Sequence, residues 1–148
     1  MKTLELIKDW AITFGKPVNK TQRLVEGKEI VKAMMLVDEE LKEVREAQTD
    51  EEIKKEVSDL FWVVVRLAQT CGIDLQETTK LLYDSNMSKL CRTELEAKEN
   101  QAEYWQGTHQ HGKGKSVNIK VQKVGKRFVL LNADNKVMKP NSYKPVEF

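Results

Sequence analysis

Five carboxylates in this chain are spaced to meet a cation. Glu39 and Glu43 pair as i,i+4 and Glu40 and Glu43 as i,i+3, which sets all three along one side of a helix. Glu56 and Asp59 repeat the i,i+3 spacing. In an antiparallel hairpin with its turn near residues 48–50, Glu43 and Glu56 stand about equally far from the turn, and Glu40 is matched to Asp59. Carboxylates crowded in this way raise one another's pKa and cost stability unless a positive charge sits between them. Oxygen ligands without a nearby histidine suit the hard ions Mg²⁺ and Mn²⁺, which keep several waters and commonly meet a phosphorylated substrate. Acidic pairs of this spacing also decorate solvated helix faces. The apolar run 60–65, Leu-Phe-Trp-Val-Val-Val, directly follows Asp59 and weighs against that bland reading, because a carboxylate beside such a run is half-buried and needs a partner.

Other chemistries lack their residues. Di-iron bundles draw on Glu-x-x-His pairs, whereas the two histidines here, His109 and His111, lie in the Gly-rich stretch 107–114 and read as a solvated loop. Cys71 and Cys91 are twenty residues apart with no CxxC, so neither a disulfide framework nor a zinc knuckle is expected. They read as a helix-end and a bundle-edge residue. There is no Ser-His-Asp set, P-loop or dinucleotide-binding glycine pattern. What fits is a polyphosphate, whose charges a metal centre neutralises while lowering the pKa of a water for in-line attack.

The elements that must position these acids are helices. Leu4, Ile7, Ala11 and Phe14 recur at helical spacing before Gly15 and Pro17. From about Leu24 to Gln48, Ile30, Met34, Val37, Leu41 and Val44 form a seam, and Ile53, Val57, Leu60, Val64 and Leu67 form another before Gly72. The stretches Thr49–Glu52, Asp74–Glu77 and Thr93–Glu96 have the spacing of capping boxes. After Gln106, Val117, Ile119 and Val121 alternate with polar residues, as do Phe128 and Leu130, around a turn at Gly125; a second turn falls at Ala133–Lys136 and an extended end follows. The expected architecture is mainly α: a four-to-five-helix metal-binding bundle over 1–106, with a small basic β-hairpin or ribbon and tail, 107–148, packed on it. Charge follows the same division, 16 Lys and Arg against 20 Asp and Glu up to residue 100, and 9 against 3 beyond it. With 40% apolar and 32% charged residues, no apolar stretch of membrane-spanning length and no signal-like start, a cytoplasmic protein is expected.

The segments 37–47 (Val-Asp-Glu-Glu-Leu-Lys-Glu-Val-Arg-Glu-Ala) and 56–68 (Glu-Val-Ser-Asp-Leu-Phe-Trp-Val-Val-Val-Arg-Leu-Ala) resemble the Glu-x-x-Glu and Glu-x-x-Asp motifs of the all-α nucleoside triphosphate pyrophosphohydrolases. This is the MazG-like superfamily, with phosphoribosyl-ATP pyrophosphohydrolase and dimeric dUTPases among its relatives. Residues 10–18 are similar to its opening helix, 85–90 to the stretch after its fourth helix, and 134–143 to an Asp-Gly-Lys-Val-x-Lys-Pro ending of one branch, with Asn135 in place of glycine. The resemblance implies that Glu40, Glu43, Glu56 and Asp59 ligate Mg²⁺, for which Mn²⁺ substitutes. Glu39 is then a further ligand or the base that orients the attacking water, so Glu39 and Glu40 are the catalytic candidates. Asn86 and Lys89 contact the substrate, Lys89 as the triphosphate partner. Trp10 and Phe14 are candidates to stack on a base, with core packing the alternative for one of them, and Trp62 reads as core. The charge segregation adds Lys136 and Lys139 as phosphate contacts.

The expected function is Mg²⁺-dependent hydrolysis of a (d)NTP to the monophosphate and pyrophosphate, leaning to a purine deoxynucleotide, by a homodimer or homotetramer. The alternative is a non-catalytic helical interaction module, or a nucleic-acid-binding one that uses the basic segment 113–127. That segment has Phe128 alone as an adjacent aromatic, which weighs against nucleic acid.

Overall fold

A computed structural model describes residues 2–21 and 27–148. It contains α1 (Lys2–Thr13), α2 (Lys28–Glu46), α3 (Asp50–Cys71), α4 (Leu75–Met87), α5 (Glu94–Gln106), β1 (Lys120–Val124) and β2 (Arg127–Leu131). The expected start of the second helix at Leu24 lies outside the described residues. The fold is mainly helical with a small antiparallel sheet. Among the described residues no helix is long and apolar enough to cross a membrane. The chain divides into two compact units, Met1–Thr78 and Thr79–Phe148.

In the first unit α2 and α3 form the main packed pair, with α1 against α3. The connection between them is short because Thr49 starts a helix at once. Its Oγ1 accepts the Glu52 N–H at 3.1 Å, and Glu52 Oε2 accepts the N–H groups of Thr49 and Gln48 at 3.2 and 2.8 Å, the reciprocal capping box that the spacing predicts. Gly72 ends α3 at φ 70°, left-handed geometry that costs glycine nothing. Ile7 and Ala11 of α1 are buried, as are Val65 and Ala68 of α3. The two apolar seams divide between inside and outside. Ile30 is buried and Val37, Leu41, Val44, Leu60 and Leu67 are half-buried, but Met34, Ile53, Val57 and Val64 are exposed. Two helices lying side by side cover only the sides that meet, so a broad stripe is left partly bare.

In the second unit α5 packs on both strands. Thr93 Oγ1 caps α5 by accepting the Glu96 N–H at 3.1 Å, while Glu96 Oε2 accepts from Arg92 N–H one residue before the cap. The hairpin register runs from Lys120↔Leu131 to Val124↔Arg127 around Gly125-Lys126, with Gly125 at φ +60°. Cys91, Ala97, Tyr104, Ile119 and Leu130 form the core. Two sequence expectations change here. Cys91 is fully buried rather than at an edge, because its N–H and C=O bond Phe128 at 2.8 and 3.0 Å and extend the sheet. His109 is 4% exposed rather than solvated: its ring stacks 3.8 Å from Tyr104, Nε2 bonds Asn100 Oδ1 at 2.7 Å, and Nδ1 accepts the His111 N–H at 3.1 Å. The division between the compact units falls after Thr78, and α5 packs on the hairpin within the second of them. The turn expected at Ala133–Lys136 is present, with Asn135 at φ 58° and Met138 N–H bonded to Leu130 C=O at 2.8 Å.

Candidate functional site

Three of the five acids, Glu40, Glu43 and Glu56, meet across the α2–α3 pair, and Asp59 and Glu39 lie outside that close group. Carboxylate oxygens of Glu40, Glu43 and Glu56 all lie within 4.8 Å of one another. Glu40 stands on the packed side of α2, level with its half-buried neighbours Val37 and Leu41, and is itself half-buried. Its Oε2 is shielded from solvent and has no hydrogen-bond partner among the described residues. Desolvation raises the Glu40 pKa above its ordinary value, and the charges of Asp59 and Glu56 raise it further. Glu43 is raised chiefly by its hydrogen bond with Glu56, since two carboxyl groups can bond directly only when one holds a proton. The Glu56 side chain is 13% exposed and that of Asp59 45%.

Spacing alone missed one participant. Lys55 Nζ lies 3.0 Å from both carboxylate oxygens of Glu56 and 3.0 Å from Asp59 Oδ2. These contacts hold the lysine pKa well above its ordinary value. The signal was present, for Lys55 immediately precedes Glu56 and stands i,i+4 to Asp59. Glu39 is exposed and lies outside the close cluster, although its charge adds slightly to the rise in Glu40.

One turn along α3 from Asp59, Trp62 meets the Trp10 ring edge-on at 5.6 Å, and Trp10 lies 5.1 Å from Phe14. Arg66, a further turn on, stands over Trp10 at 6.0 Å and bonds Gln69 Oε1 and the Pro17 carbonyl. Trp10 and Trp62 are half-buried and Phe14 is 61% exposed, so this cluster combines packing with an open aromatic face. A separate cavity of about 590 Å³ between α1 and the C-terminal end of α3, lined by Leu4, Lys8, Ile12, Val65, Gln69 and Ile73 among others, includes none of the clustered acids.

The remaining candidates belong to the second unit. Lys89 Nζ donates to Asn86 Oδ1 at 2.7 Å, and Lys89 and Lys139 stand 5.9 and 4.7 Å from the Tyr143 ring. Lys136 is exposed at the Asn135 turn, where its backbone N–H bonds Asn132 Oδ1 at 2.9 Å. Asn86, Lys89 and Lys139 are thus neighbours, with Lys136 apart at its turn.

The arrangement can place a hard cation among oxygens from two helices beside an aromatic surface, which is equipment for a nucleotide's polyphosphate and base. No curated protein matches the chain at a significant level. The phosphoribosyl-ATP pyrophosphohydrolase family matches residues 7–86, which take in α1 from Ile7, both acidic motifs and α4 up to Asn86. With its acidic helix pair inside a match that spans more than half of its length, the chain belongs to the phosphoribosyl-ATP pyrophosphohydrolase family, within the all-α nucleoside triphosphate pyrophosphohydrolase superfamily.

Proposed function

We propose that the chain is a divalent-metal-dependent pyrophosphohydrolase of nucleoside triphosphates, releasing the monophosphate and pyrophosphate from a (d)NTP. The observation that carries this reading is the solvent-shielded Glu40 Oε2, without a partner among the described residues, beside Glu43 and Glu56. An orphaned carboxylate oxygen is costly, and a cation is the partner that would relieve its neighbours as well. The all-oxygen donor set suits Mg²⁺, with Mn²⁺ as a substitute. In this reading Glu40, Glu43, Glu56 and Asp59 hold the metal. When bound, the ion supplies positive charge to the polyphosphate and acidifies a water.

In this reading Glu39, which is exposed, orients the attacking water or adds a further ligand. A water oriented by Glu39 would attack the α-phosphorus and give up its proton to that carboxylate, the α–β anhydride bond would break, and pyrophosphate would leave with the bonding pair. Trp10 and Phe14, braced by Trp62, offer the surface on which a base stacks. Within the second unit, Lys89 with Asn86, and the tail residues Lys136 and Lys139, are the candidates to contact phosphate. A purine deoxynucleotide is the favoured substrate.

A homodimer, or a dimer of dimers, completes the reading. Ile53, Val57, Phe61 and Val64 form an exposed stripe on α3, and Val31, Met34 and Met35 are exposed on α2. Apolar side chains so concentrated on one helix pair suit a self-complementary interface.

The test measures pyrophosphate release from the eight common NTPs and dNTPs and from phosphoribosyl-ATP, with Mg²⁺ or Mn²⁺, by the parent and by a Glu43→Gln, Asp59→Asn double variant. Release by the parent should require metal and fall at least about 100-fold in the variant, the scale of losing an electrostatic stabiliser. No release from any substrate, or equal release by the variant, overturns the proposal.

A further inference from the structure

We propose that Lys55 is a tethered counter-ion which a divalent metal must displace, so that this side chain sets the affinity of the centre for its metal. The inference rests on the metal reading above and adds a residue to it.

One ammonium group sits 3.0 Å from three oxygens, both of Glu56 and Oδ2 of Asp59. A magnesium ion approaches its oxygens to about 2.0–2.1 Å. An ion at those distances and an ammonium still touching the same oxygens would stand only a few ångströms apart, two cations in direct repulsion. Metal binding is therefore an exchange in which one positive charge leaves and two arrive.

The lysine is built for leaving. It occupies the same helix as the two acids, adjacent to one and a turn from the other, so it returns to them at a high effective concentration without folding cost. Its side chain is 64% exposed and can swing into water without opening a core. It also reaches only the α3 half of the cluster. Glu40 Oε2, on α2, has no partner among the described residues with Lys55 in place, so the lysine offsets part of the repulsion and leaves the centre short of a charge that serves both helices. A divalent ion can bridge the two, which favours exchange once enough metal is present.

The test uses the full chain without nucleotide and titrates Mn²⁺ by isothermal calorimetry. The proteins are the parent, Lys55→Met, Lys55→Gln, the Glu43→Gln, Asp59→Asn double variant, and Lys54→Met as a control for net charge. Among the described residues Lys54 forms no salt bridge. Circular dichroism identifies the variants that fold, and the two Lys55 substitutions guard against failure of either one. The Lys55 variants should bind Mn²⁺ about tenfold tighter than the parent, while Lys54→Met shifts binding by less than about twofold. Parent binding that both Lys55 variants match or weaken, or a Lys54→Met gain equal to theirs, overturns the exchange and leaves the metal site standing. Absence of binding by the parent, or binding that survives in the double variant, overturns the metal reading and the exchange with it.

Discussion

Glu40 illustrates how burial and like charge act on one residue. Its pKa is raised first by desolvation and then by Asp59 and Glu56. Between the ordinary value of 4.5 and the raised one, the folded protein holds a proton that the unfolded chain has released. Stability contributed by this group is therefore full below about 4.5 and is lost as pH rises through the folded pKa. In chelator, the melting temperature of the parent should fall more steeply from pH 4.5 to 8 than that of Glu40→Gln, whose amide carries no such titration. At pH 8 the variant should melt a few degrees higher, and added Mg²⁺ should raise the parent selectively. Identical pH profiles in scanning calorimetry would contradict this account. The i,i+3 spacings already showed which acids share a helix side. They did not show that one Glu40 oxygen is cut off from water, nor that Lys55 turns back onto its own helix, because both depend on how closely the partner helix approaches and on side-chain rotamers.

At the scale of elements, the capping signals were legible because they are local. Thr49 and Glu52 satisfy each other across three residues whatever the rest of the chain does. Thr49→Ala should cost about 1 kcal/mol in chemical denaturation, and Thr49→Ser should restore most of it. An undiminished midpoint for Thr49→Ala would show that the start of α3 is held by packing instead. The box expected at Asp74 is one-sided: Asp74 Oδ1 accepts from Gln76 and Glu77 N–H at 2.9 and 3.2 Å. Harder to read was the association of α5 with the hairpin. The burial of Cys91 and His109 follows from that association, since Tyr104 on α5 supplies the surface on which His109 stacks. Asn135 was readable as a departure from a glycine. Its φ of 58° gives the reason, because a left-handed turn accepts asparagine as the next best residue.

For the molecule as a whole, the exposed stripes of α2 and α3 are the main unfinished surface. Val57 is 49% exposed, Phe61 46% and Met35 64%, a density of large apolar side chains that isolated surface residues do not produce. Sedimentation velocity should place the parent at twice its 17.1 kDa mass or more, and Val57→Glu should shift it toward the monomer with its helical circular dichroism retained. A parent that sediments as a monomer at tens of micromolar would remove the homodimer from the proposal.

The sequence by itself determined the helices, their caps, the two turns of the β region and the acids that share each helix side. All of these depend on residue types within a few positions of one another. It also carried the motifs by which the family is known. Tertiary structure alone decided that Glu40 Oε2 is shut away from water beside Glu43 and Glu56, and that Met34 of one apolar seam and Ile53, Val57 and Val64 of the other face outward. It decided as well that His109 and Cys91 are core residues. Burial is a property of what arrives from elsewhere in the chain, and periodicity within a segment shows which side is apolar without showing what covers it.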